Sequence, residues 1–297
     1  MRIVALISPA FHARIPASVV VHDVDGLRRA LPGADALVLA PRYGDMIRDV
    51  WSEARHLRWI HTLGAGVEKL PFDLLRETDI IITNSRGVYA DALGEFVIAA
   101  LLWFAKDFRH LVDNQAARKW EALEVERLEG ATLGIIGYGS IGQAVGRRAE
   151  GLGMRVAGAR RGGGASIDEV IRAADYIVLS TPLTPATRHL MNAARIASMK
   201  PTAVLINIAR GAIVEEAALI DALAAKRIRG AALDVFEIEP LPADNPLWSL
   251  PNVLISPHSA DRTRDSHERA VAFFEQNLRR FERGEPLENI VDKNAGY

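Results

Sequence analysis

A glycine-rich strand-to-helix turn is the sequence feature that most constrains the fold of this chain. Gly137, Gly139 and Gly142 follow the apolar run at residues 133–136 and precede a short helical pattern. A second apolar segment, residues 154–159, comes next, so the glycines sit inside a strand–helix–strand unit. Gly137 permits the tight turn, Gly139 lets the backbone approach a pyrophosphate, and Gly142 lets helix and strand pack closely. The pattern predicts a dinucleotide site with its phosphates at the helix N-terminus.

Arginines follow the second strand of this unit, where a site for NAD usually has a carboxylate. Such a carboxylate binds the ribose 2′-hydroxyl about twenty residues after the glycines. Arg160 and Arg161 stand there instead, and guanidinium groups match a 2′-phosphate in charge and geometry. We therefore predict NADP (NADPH) as the preferred cofactor, with NAD still possible; two exposed arginines on a surface loop are the alternative interpretation. The turn residues expected to contact the cofactor are Gly137, Tyr138, Gly139, Ser140, Ile141 and Gly142.

Composition narrows the class of protein. The 297 residues are 49% hydrophobic and 25% charged, as in well-cored globular chains of two domains. The formal net charge of −1 gives no reason to expect nucleic acid or a membrane surface as a partner. The chain has no cysteine, which excludes disulfides and fits the cytoplasm, where we expect the protein. No apolar run is long enough to span a bilayer, and no metal-ligand spacing occurs, so no metal is predicted.

Two series of apolar runs separated by helical patterns predict an α/β fold of two doubly wound parallel-sheet domains, the second a Rossmann domain. Candidate strands of the first series are residues 3–7, 36–39, 57–60 and 80–83. Those of the second are 133–137, 156–159, 176–180, 203–208, 231–233 and 253–256. A long apolar helix is expected from about residue 91 through 106 and beyond, and the last helical segment is expected to pack on the first domain. The predicted domains are 1–95 plus 270–297, and 96–269.

Three side chains that suit catalysis come shortly after the last three predicted strands. They are Arg210, Glu239 and His258. Because open α/β sheets bind ligands at the carboxyl ends of their strands, we expect a cation, an acid and a base to meet there. Each residue alone has an ordinary interpretation as a loop residue or ion-pair partner, and Glu237 is an alternative to Glu239 as the acid.

Several motifs in one order resemble the D-isomer-specific 2-hydroxyacid dehydrogenase family, which includes glyoxylate/hydroxypyruvate reductases and phosphoglycerate dehydrogenases. The motifs extend over essentially the whole chain and are the glycine turn, Thr181-Pro182-Leu183-Thr184, Met199-Lys200-Pro201, Arg210-Gly211, residues 234–240 and Pro257-His258. The resemblance implies that residues 1–95 plus 270–297 form the substrate-binding (catalytic) domain and that the active site lies in the cleft between the domains. It also implies a homodimer, and reduction of a small 2-keto acid, similar to glyoxylate or hydroxypyruvate, to the D-2-hydroxy acid.

The resemblance also assigns roles to residues. Arg210 would bind the substrate, His258 with Glu239 would form the proton donor/acceptor pair, and Arg210 and His258 would contact the cofactor as well as the substrate. These roles agree with the chemistry of a guanidinium that polarises a carbonyl and an imidazole that holds a proton near neutral pH. The further cofactor contacts implied are Thr181, Pro182, Ile208 and Asp234, and the implied substrate loop is Leu63, Gly64, Ala65 and Gly66.

Two residues depart from the family pattern, and two other functions stay open. Asp261 stands where a glycine commonly closes the Pro-His turn, and Arg86 stands where proline is frequent. One alternative function is a dinucleotide-sensing binding protein of the corepressor type, which keeps the same three catalytic residues. The other is formate or phosphite dehydrogenase on the same fold, but formate enzymes of this type pair the histidine with glutamine, so Glu239 argues against them.

Overall fold

The protein is described by a computed structural model that covers residues 1–11, 13–160 and 163–297. These residues form two compact units. The first unit contains Met1–Tyr89 and Thr263–Tyr297, and the second contains Ala90–Arg262. Both boundaries between the units, at residues 89/90 and 262/263, lie a few residues before the domain boundaries predicted from the sequence.

Strands and helices are numbered along the chain. The strands are β1 (Ile3–Leu6), β2 (Val19–Val21), β3 (Ala36–Leu39), β4 (Trp59–Thr62), β5 (Ile81–Asn84), β6 (Thr132–Ile136), β7 (Arg155–Arg160), β8 (Gly163–Gly164), β9 (Tyr176–Leu179), β10 (Val204–Asn207), β11 (Gly230–Leu233) and β12 (Val253–Ile255). The α-helices are α1 (Val24–Ala30), α2 (Met46–Asp49), α3 (Phe72–Leu75), α4 (Ala90–Ala105), α5 (Phe108–Ala116), α6 (Ser140–Gly151), α7 (Ile167–Ala173), α8 (Ala193–Ala197), α9 (Glu216–Ala224) and α10 (Ser266–Arg283). Short 3-10 helices lie at Pro41–Tyr43, Trp51–Glu53, Gly211–Ile213 and Pro246–Ser249.

The first unit is built on a parallel sheet with the strand order β2-β1-β3-β4-β5. Its strands β1, β3 and β4 are buried along their whole length, as in sheets covered on both faces. The predicted doubly wound fold is therefore confirmed for this unit. The sequence prediction located four of the strands to within two residues but missed β2, because a run of three valines is too short to show a period.

Helix α10 completes the first unit. The ring of Trp59 in β4 stacks on Phe274 and Phe281 of α10, with centroid separations of 5.3 and 5.2 Å. Trp59 and Phe274 are fully buried, and such pairs contribute about 0.5–1.5 kcal/mol beyond the burial of their area. After the helix, the N–H of Val291 donates to the carbonyl of Ile82 in β5 at 2.8 Å. The last residues of the chain thus belong to the core and sheet of the first unit.

The second unit is built on a sheet with the order β12-β11-β10-β9-β6-β7-β8. All pairs are parallel except β7 with β8. The strand order reverses at β6, which lies between β7 and β9, and such switch points are where open α/β sheets bind ligands. The six predicted strands and the Rossmann arrangement are confirmed. The sequence prediction missed β8, because two glycines carry no hydrophobic pattern.

The long apolar helix predicted from residue 91 consists of two helices. α4 ends at Ala105 and α5 begins at Phe108. Between them Asp107 has a φ of +47°, a left-handed conformation that cannot continue a right-handed helix. Across the described ranges, none of the helices combines the length and apolarity that a membrane crossing requires.

Buried polar side chains form a hydrogen-bonded chain across β4 and β5. Trp59 Nε1 donates to Thr83 Oγ1 at 2.8 Å, and Thr83 Oγ1 lies 2.8 Å from His61 Nδ1. On the other side of the imidazole, Ser85 Oγ lies 3.3 Å from His61 Nε2 and donates to the carbonyl of Thr62. Because Ser85 has a single hydroxyl proton, a neutral His61 protonated on Nε2 satisfies every member of this chain. Burial lowers the pKa of His61 to about 3.

We predict that His61 makes the free energy of unfolding depend on pH. The unfolded chain protonates this imidazole near the ordinary pKa of 6.5, whereas the folded chain does so near 3, so the unfolded state binds more protons between these values. The contribution of His61 to stability is complete above pH 6.5 and is lost as the pH falls towards 3, at up to about 1.4 kcal/mol per pH unit. Urea unfolding between about pH 7 and about pH 4.5 measures the slope. In His61→Gln the slope should be flatter, and equal slopes in both proteins would contradict the assignment.

Candidate functional site

The glycine turn joins β6 to α6 and has the geometry of a phosphate cradle. Gly137 has a φ of +97°, and a Cβ there would lie 2.5 Å from the amide nitrogen of Thr181. Gly139 precedes α6 without a side-chain cap, and a Cβ on it would meet nothing within 4 Å. A Cβ on Gly142 would lie 2.7 Å from the carbonyl oxygen of Gly137. The turn, the open approach and the close helix packing fit a dinucleotide pyrophosphate beside the first amides of α6.

The remaining residues of the turn divide between packing and the helix start. A Cβ on Gly158 of β7 would lie 2.7 Å from Tyr138 Cδ2, and a Cβ on Gly146 of α6 would lie 2.7 Å from the Tyr138 hydroxyl. The Tyr138 ring therefore packs between β7 and α6. Ser140 and Ile141 are the first two residues of α6, where backbone amides have no partner within the helix.

The other predicted cofactor residues lie at the carboxyl ends of adjoining strands. Thr181 and Pro182 come just after β9, and Ile208, which is 5% exposed, directly follows β10. Arg160 is the last residue of β7, whereas Arg161 lies outside the described residues. Because β7, β6, β9 and β10 are neighbours in the sheet, the described members of this set share the edge that carries the glycine turn.

His258 and Glu239 form a hydrogen-bonded pair at the same edge. His258 Nδ1 lies 2.7 Å from Glu239 Oε2, with the two side chains 43% and 34% exposed. The hydrogen bond that His258 donates to Glu239 raises the pKa of His258 above its ordinary value, although burial and the charge of Arg210 oppose the shift. Burial alone would raise the pKa of Glu239, but the hydrogen bonds from His258 and from the Phe236 amide outweigh it and leave that pKa below its ordinary value. The pair therefore favours a protonated His258 imidazole hydrogen-bonded to an ionised Glu239 carboxylate.

The backbone of Arg210 is held by Asn207, the last residue of β10. Asn207 Nδ2 donates to the Arg210 carbonyl at 3.1 Å, and the Ala209 N–H donates to Asn207 Oδ1 at 3.1 Å. The guanidinium donates to the Ala209 carbonyl at 2.6 Å, and its charge acts on both His258 and Glu239. The structure thus brings together the three residues that the sequence predicted.

Asp234 directly follows β11 and anchors the loop that carries His258. It is 2% exposed, and its Oδ1 accepts hydrogen bonds from the amides of Ser259 at 2.9 Å and Ala260 at 3.1 Å. Its carbonyl accepts the His258 N–H at 2.8 Å. These bonds hold His258 at a φ of +51°, which is uncommon outside glycine. Sequence reasoning missed this anchor, because the donors are backbone groups that any residue would supply.

Gly211 brings the loop after β10 against the loop after β11. A Cβ on Gly211 would lie 1.8 Å from the carbonyl carbon of Phe236 and 2.4 Å from the nitrogen of Glu237. The Phe236 N–H in turn donates to Glu239 Oε1 at 3.0 Å. The glycine after Arg210 was visible in the sequence, but its contact was not. Glu237, the alternative acid, lies beside a different imidazole, with its Oε1 2.9 Å from His189 Nε2.

The predicted substrate loop follows β4 in the first unit. Three of its four carbonyls accept hydrogen bonds: that of Leu63 accepts from the Tyr89 hydroxyl, that of Gly64 from Thr62 Oγ1 at 2.8 Å and from the Ser85 amide at 3.0 Å, and that of Ala65 from Asn84 Nδ2 at 2.8 Å. None of the described residues accepts a hydrogen bond from the amides of Gly64, Ala65 or Gly66. A run of tethered carbonyls with open amides is the arrangement that binds an anion.

The two departures from the family pattern lie in different units. Asp261, three residues after His258, is half-buried; burial raises its pKa above the ordinary value, and the charge of His258 opposes this. Arg86 follows β5, and its carbonyl accepts from Asn289 Nδ2 at 2.8 Å. In the described part of the chain, no three His, Asp or Glu side chains are grouped as metal ligands.

Comparisons with known proteins identify relatives of the whole chain. The family model described as D-isomer specific 2-hydroxyacid dehydrogenase, NAD binding domain, matches residues 98–260. A D-3-phosphoglycerate dehydrogenase from Methanocaldococcus jannaschii is 36% identical over 87% of this chain, which spans 52% of that protein's length. Glyoxylate/hydroxypyruvate reductase B from Pectobacterium carotovorum is 33% identical over 96% of this chain and 95% of its own.

Solved structures resemble the fold over its full length. The NADPH-dependent glyoxylate/hydroxypyruvate reductase from Sinorhizobium meliloti, in complex with NADP and sulfate, superposes with a TM-score of 0.86. It is 29% identical, and the match covers all of this chain and 99% of that one.

Proposed function

Because the chain belongs to the D-isomer specific 2-hydroxyacid dehydrogenase family, we propose that it reduces a small 2-keto acid similar to glyoxylate or hydroxypyruvate to the D-2-hydroxy acid. The family is one of NAD(P)-dependent oxidoreductases. The observation that carries the proposal is the His258–Glu239 pair, 2.7 Å apart, within reach of the Arg210 charge. The names of the Pectobacterium and Sinorhizobium relatives support glyoxylate and hydroxypyruvate as the substrate class.

Arg210 is the residue proposed to hold and polarise the substrate. When bound, the reduced nicotinamide supplies a hydride to the keto carbon. Negative charge then develops on the keto oxygen, and a guanidinium stabilises it and also binds the substrate carboxylate. The tethering of the Arg210 backbone through Asn207 keeps this cation in place before the substrate arrives.

His258 is the proposed proton donor in reduction and the acceptor in oxidation. With Nδ1 hydrogen-bonded to Glu239, Nε2 is the ring nitrogen that can give its proton to the developing alkoxide. The raised pKa of His258 keeps the proton available near neutral pH. The proton lost from the imidazole becomes the hydroxyl hydrogen of the product, and solvent restores it.

We also propose that the open amides of Gly64, Ala65 and Gly66 bind the substrate carboxylate. The carbonyls of Gly64 and Ala65 accept hydrogen bonds from neighbouring side chains, as described above, so these amides can bind an anion without reorganisation of the loop. On the cofactor side, the proposed contacts are the glycine turn, Thr181, Pro182, Ile208 and Asp234, together with Arg210 and His258.

NADP is the cofactor we propose to be preferred, with NAD also usable. Arg160 and Arg161 supply positive charge at the place in the sequence where an NAD site has a carboxylate. The Sinorhizobium relative is NADPH-dependent and was solved with NADP, which supports the same preference.

Replacing His258 by alanine should separate chemistry from cofactor binding. We expect kcat with glyoxylate or hydroxypyruvate and NADPH to fall by about 10²–10⁴-fold, because the proton donor is gone. The NADPH dissociation constant, measured by fluorescence titration, should change little. The exposed His56, replaced in the same way, serves as the matched control and should retain activity. Near-normal turnover of His258→Ala would remove His258 from catalysis, and no turnover of any 2-keto acid by the natural chain would favour a dinucleotide-sensing protein.

Replacing Arg160 and Arg161 together by glutamine should weaken NADPH selectively. We expect the KM for NADPH to rise about tenfold or more and that for NADH to change little, since guanidinium groups pair with the 2′-phosphate alone. Steady-state kinetics with both cofactors provides the comparison, and Arg172→Gln on the exposed face of α7 controls for the loss of charge. Equal changes with both cofactors would refute a 2′-phosphate contact.

A homodimer formed through the second unit is also proposed. Helix α5 and the segment after it expose Leu111 (42%), Val112 (52%) and Trp120 (104%), an apolar group of the kind that marks protein interfaces. Sedimentation velocity should give twice the chain mass of 32.5 kDa. The double variant Leu111→Asp, Val112→Asp should sediment as a monomer, whereas Leu152→Asp, a change at an exposed residue elsewhere in this unit, should not. A monomeric natural protein would overturn the proposal.

A further inference from the structure

Two glutamates outside the proposed catalytic set hold each other across two loops of the second unit. Glu216 is the first residue of α9, and Glu237 lies in the turn after β11. The Glu237 N–H donates to Glu216 Oε2 at 3.0 Å, and the Glu216 N–H approaches Glu237 Oε1 at 3.5 Å. Each residue thus offers a backbone amide to the carboxylate of the other. We refer to Glu216 and Glu237 as the glutamate clamp.

Neighbouring side chains complete the hydrogen bonding of the clamp. Asn245 Nδ2 donates to Glu216 Oε1 at 2.9 Å, and His189 Nε2 lies 2.9 Å from Glu237 Oε1. These contacts supply donors to both carboxylates, which offsets the cost of placing two anions close together. The clamp therefore joins the loop after β9, the start of α9 and the turn after β11.

The amide bound by the clamp is next to the amide that binds Glu239, the acid that is hydrogen-bonded to His258. The Glu237 amide is bound by Glu216, and the preceding amide, that of Phe236, donates to Glu239 Oε1 at 3.0 Å. On the opposite side, Gly211 lies against the Phe236 carbonyl so closely that a Cβ would come within 2.0 Å of its oxygen. The turn is thus fixed from two sides, with Glu239 Oε1 occupied and Oε2 directed at His258.

We propose that Glu216 and Glu237 are positioning residues, whose clamp fixes the turn at residues 236–239 so that Glu239 presents one carboxylate oxygen to His258. The catalytic consequence rests on the proposed function of His258, whereas the structural consequence does not. Loss of the clamp releases the turn and weakens the hydrogen bond that His258 donates to Glu239, so the imidazole gives up its proton at lower pH.

The charges that face His258 allow the effect of position to be separated from the effect of charge. They are Glu239, Arg210, Asp234 and Asp261. None of these changes when the clamp is altered, but each clamp glutamate carries a charge of its own. Glu237→Gln removes the charge and keeps an amide oxygen that can accept from both Glu216 and His189. Glu237→Ala removes the charge together with the side-chain contacts to the Glu216 amide and to His189, and leaves the backbone amide of residue 237 on Glu216.

The test measures the pKa of His258 in the protein without substrate or cofactor, by two-dimensional NMR of isotope-labelled imidazoles. The chain has 8 histidines, and the signal absent from His258→Ala identifies the one required. In Glu216→Ala and Glu237→Ala the pKa of His258 should fall by roughly half a unit to one unit, whereas Glu237→Gln should stay near the natural value. Asp221→Ala, on the exposed face of α9, removes a charge from the same helix and should have no effect.

The alkaline limb of kcat/KM for keto-acid reduction should move to lower pH in Glu216→Ala and Glu237→Ala by the same amount as the titration. An unchanged titration in both alanine variants would overturn the clamp, and so would a Glu237→Gln titration that falls as far as that of Glu237→Ala. A shifted titration with an unmoved pH profile would support the clamp and overturn the proposed role of His258. Glu216→Ala removes the acceptor of the Glu237 amide, and Glu237→Ala removes the acceptor of the Glu216 amide and of His189. Because each variant breaks one half of the clamp, either one that folds tests the proposal.

Discussion

The contact between Gly211 and the Phe236–Glu237 peptide is the constraint on which the rest of the site depends. A Cβ at this position would overlap the Phe236 carbonyl carbon at 1.8 Å, so a side chain there would force the turns after β10 and β11 apart. Arg210 precedes the glycine, and the Phe236 amide binds Glu239. The separation between the backbones that carry Arg210 and Glu239 is therefore set by two turns in direct contact, and close-packed backbones of this kind deform little.

The buried carboxylate of Asp234 fixes the position of the loop that follows β12 and carries His258. Asp234 is almost fully buried, and burial of a carboxylate is unfavourable unless hydrogen bonds replace its water. The amides of Ser259 and Ala260 supply those bonds, and in doing so they keep His258 in a left-handed conformation. The side chains of Arg210 and His258 stay partly exposed, while hydrogen bonds to Asn207 and Asp234 hold the backbone beside them.

The features that the sequence predicted correctly are those determined by residues close together along the chain. The glycine turn and the strands that end before Arg210 and His258 each follow from a few consecutive residues. What depends on distant backbone groups was not predictable in this way. Two glycines form β8 only because β7 lies beside them, and Asp234 gains its partners only when β11 and β12 are adjacent. The neutral state of His61 likewise requires Thr83 and Ser85 from the next strand and the turn that follows it.

Several charged groups act on the protonation of His258, and one of them, Asp261, departs from the family pattern. Arg210 opposes a charged imidazole, whereas Glu239 and Asp234 favour it. Asp261 adds a half-buried carboxyl to the same loop, at a place where a glycine is common. The charge of His258 stabilises the ionised form of Asp261, and by reciprocity an ionised Asp261 favours the proton on His258. Burial opposes that ionisation, so the carboxylate of Asp261 is most stable when the imidazole is charged, and the two protonation states are coupled. The loop that carries His258 thus contains a carboxylate that favours the charged imidazole, in addition to the hydrogen bond that His258 donates to Glu239.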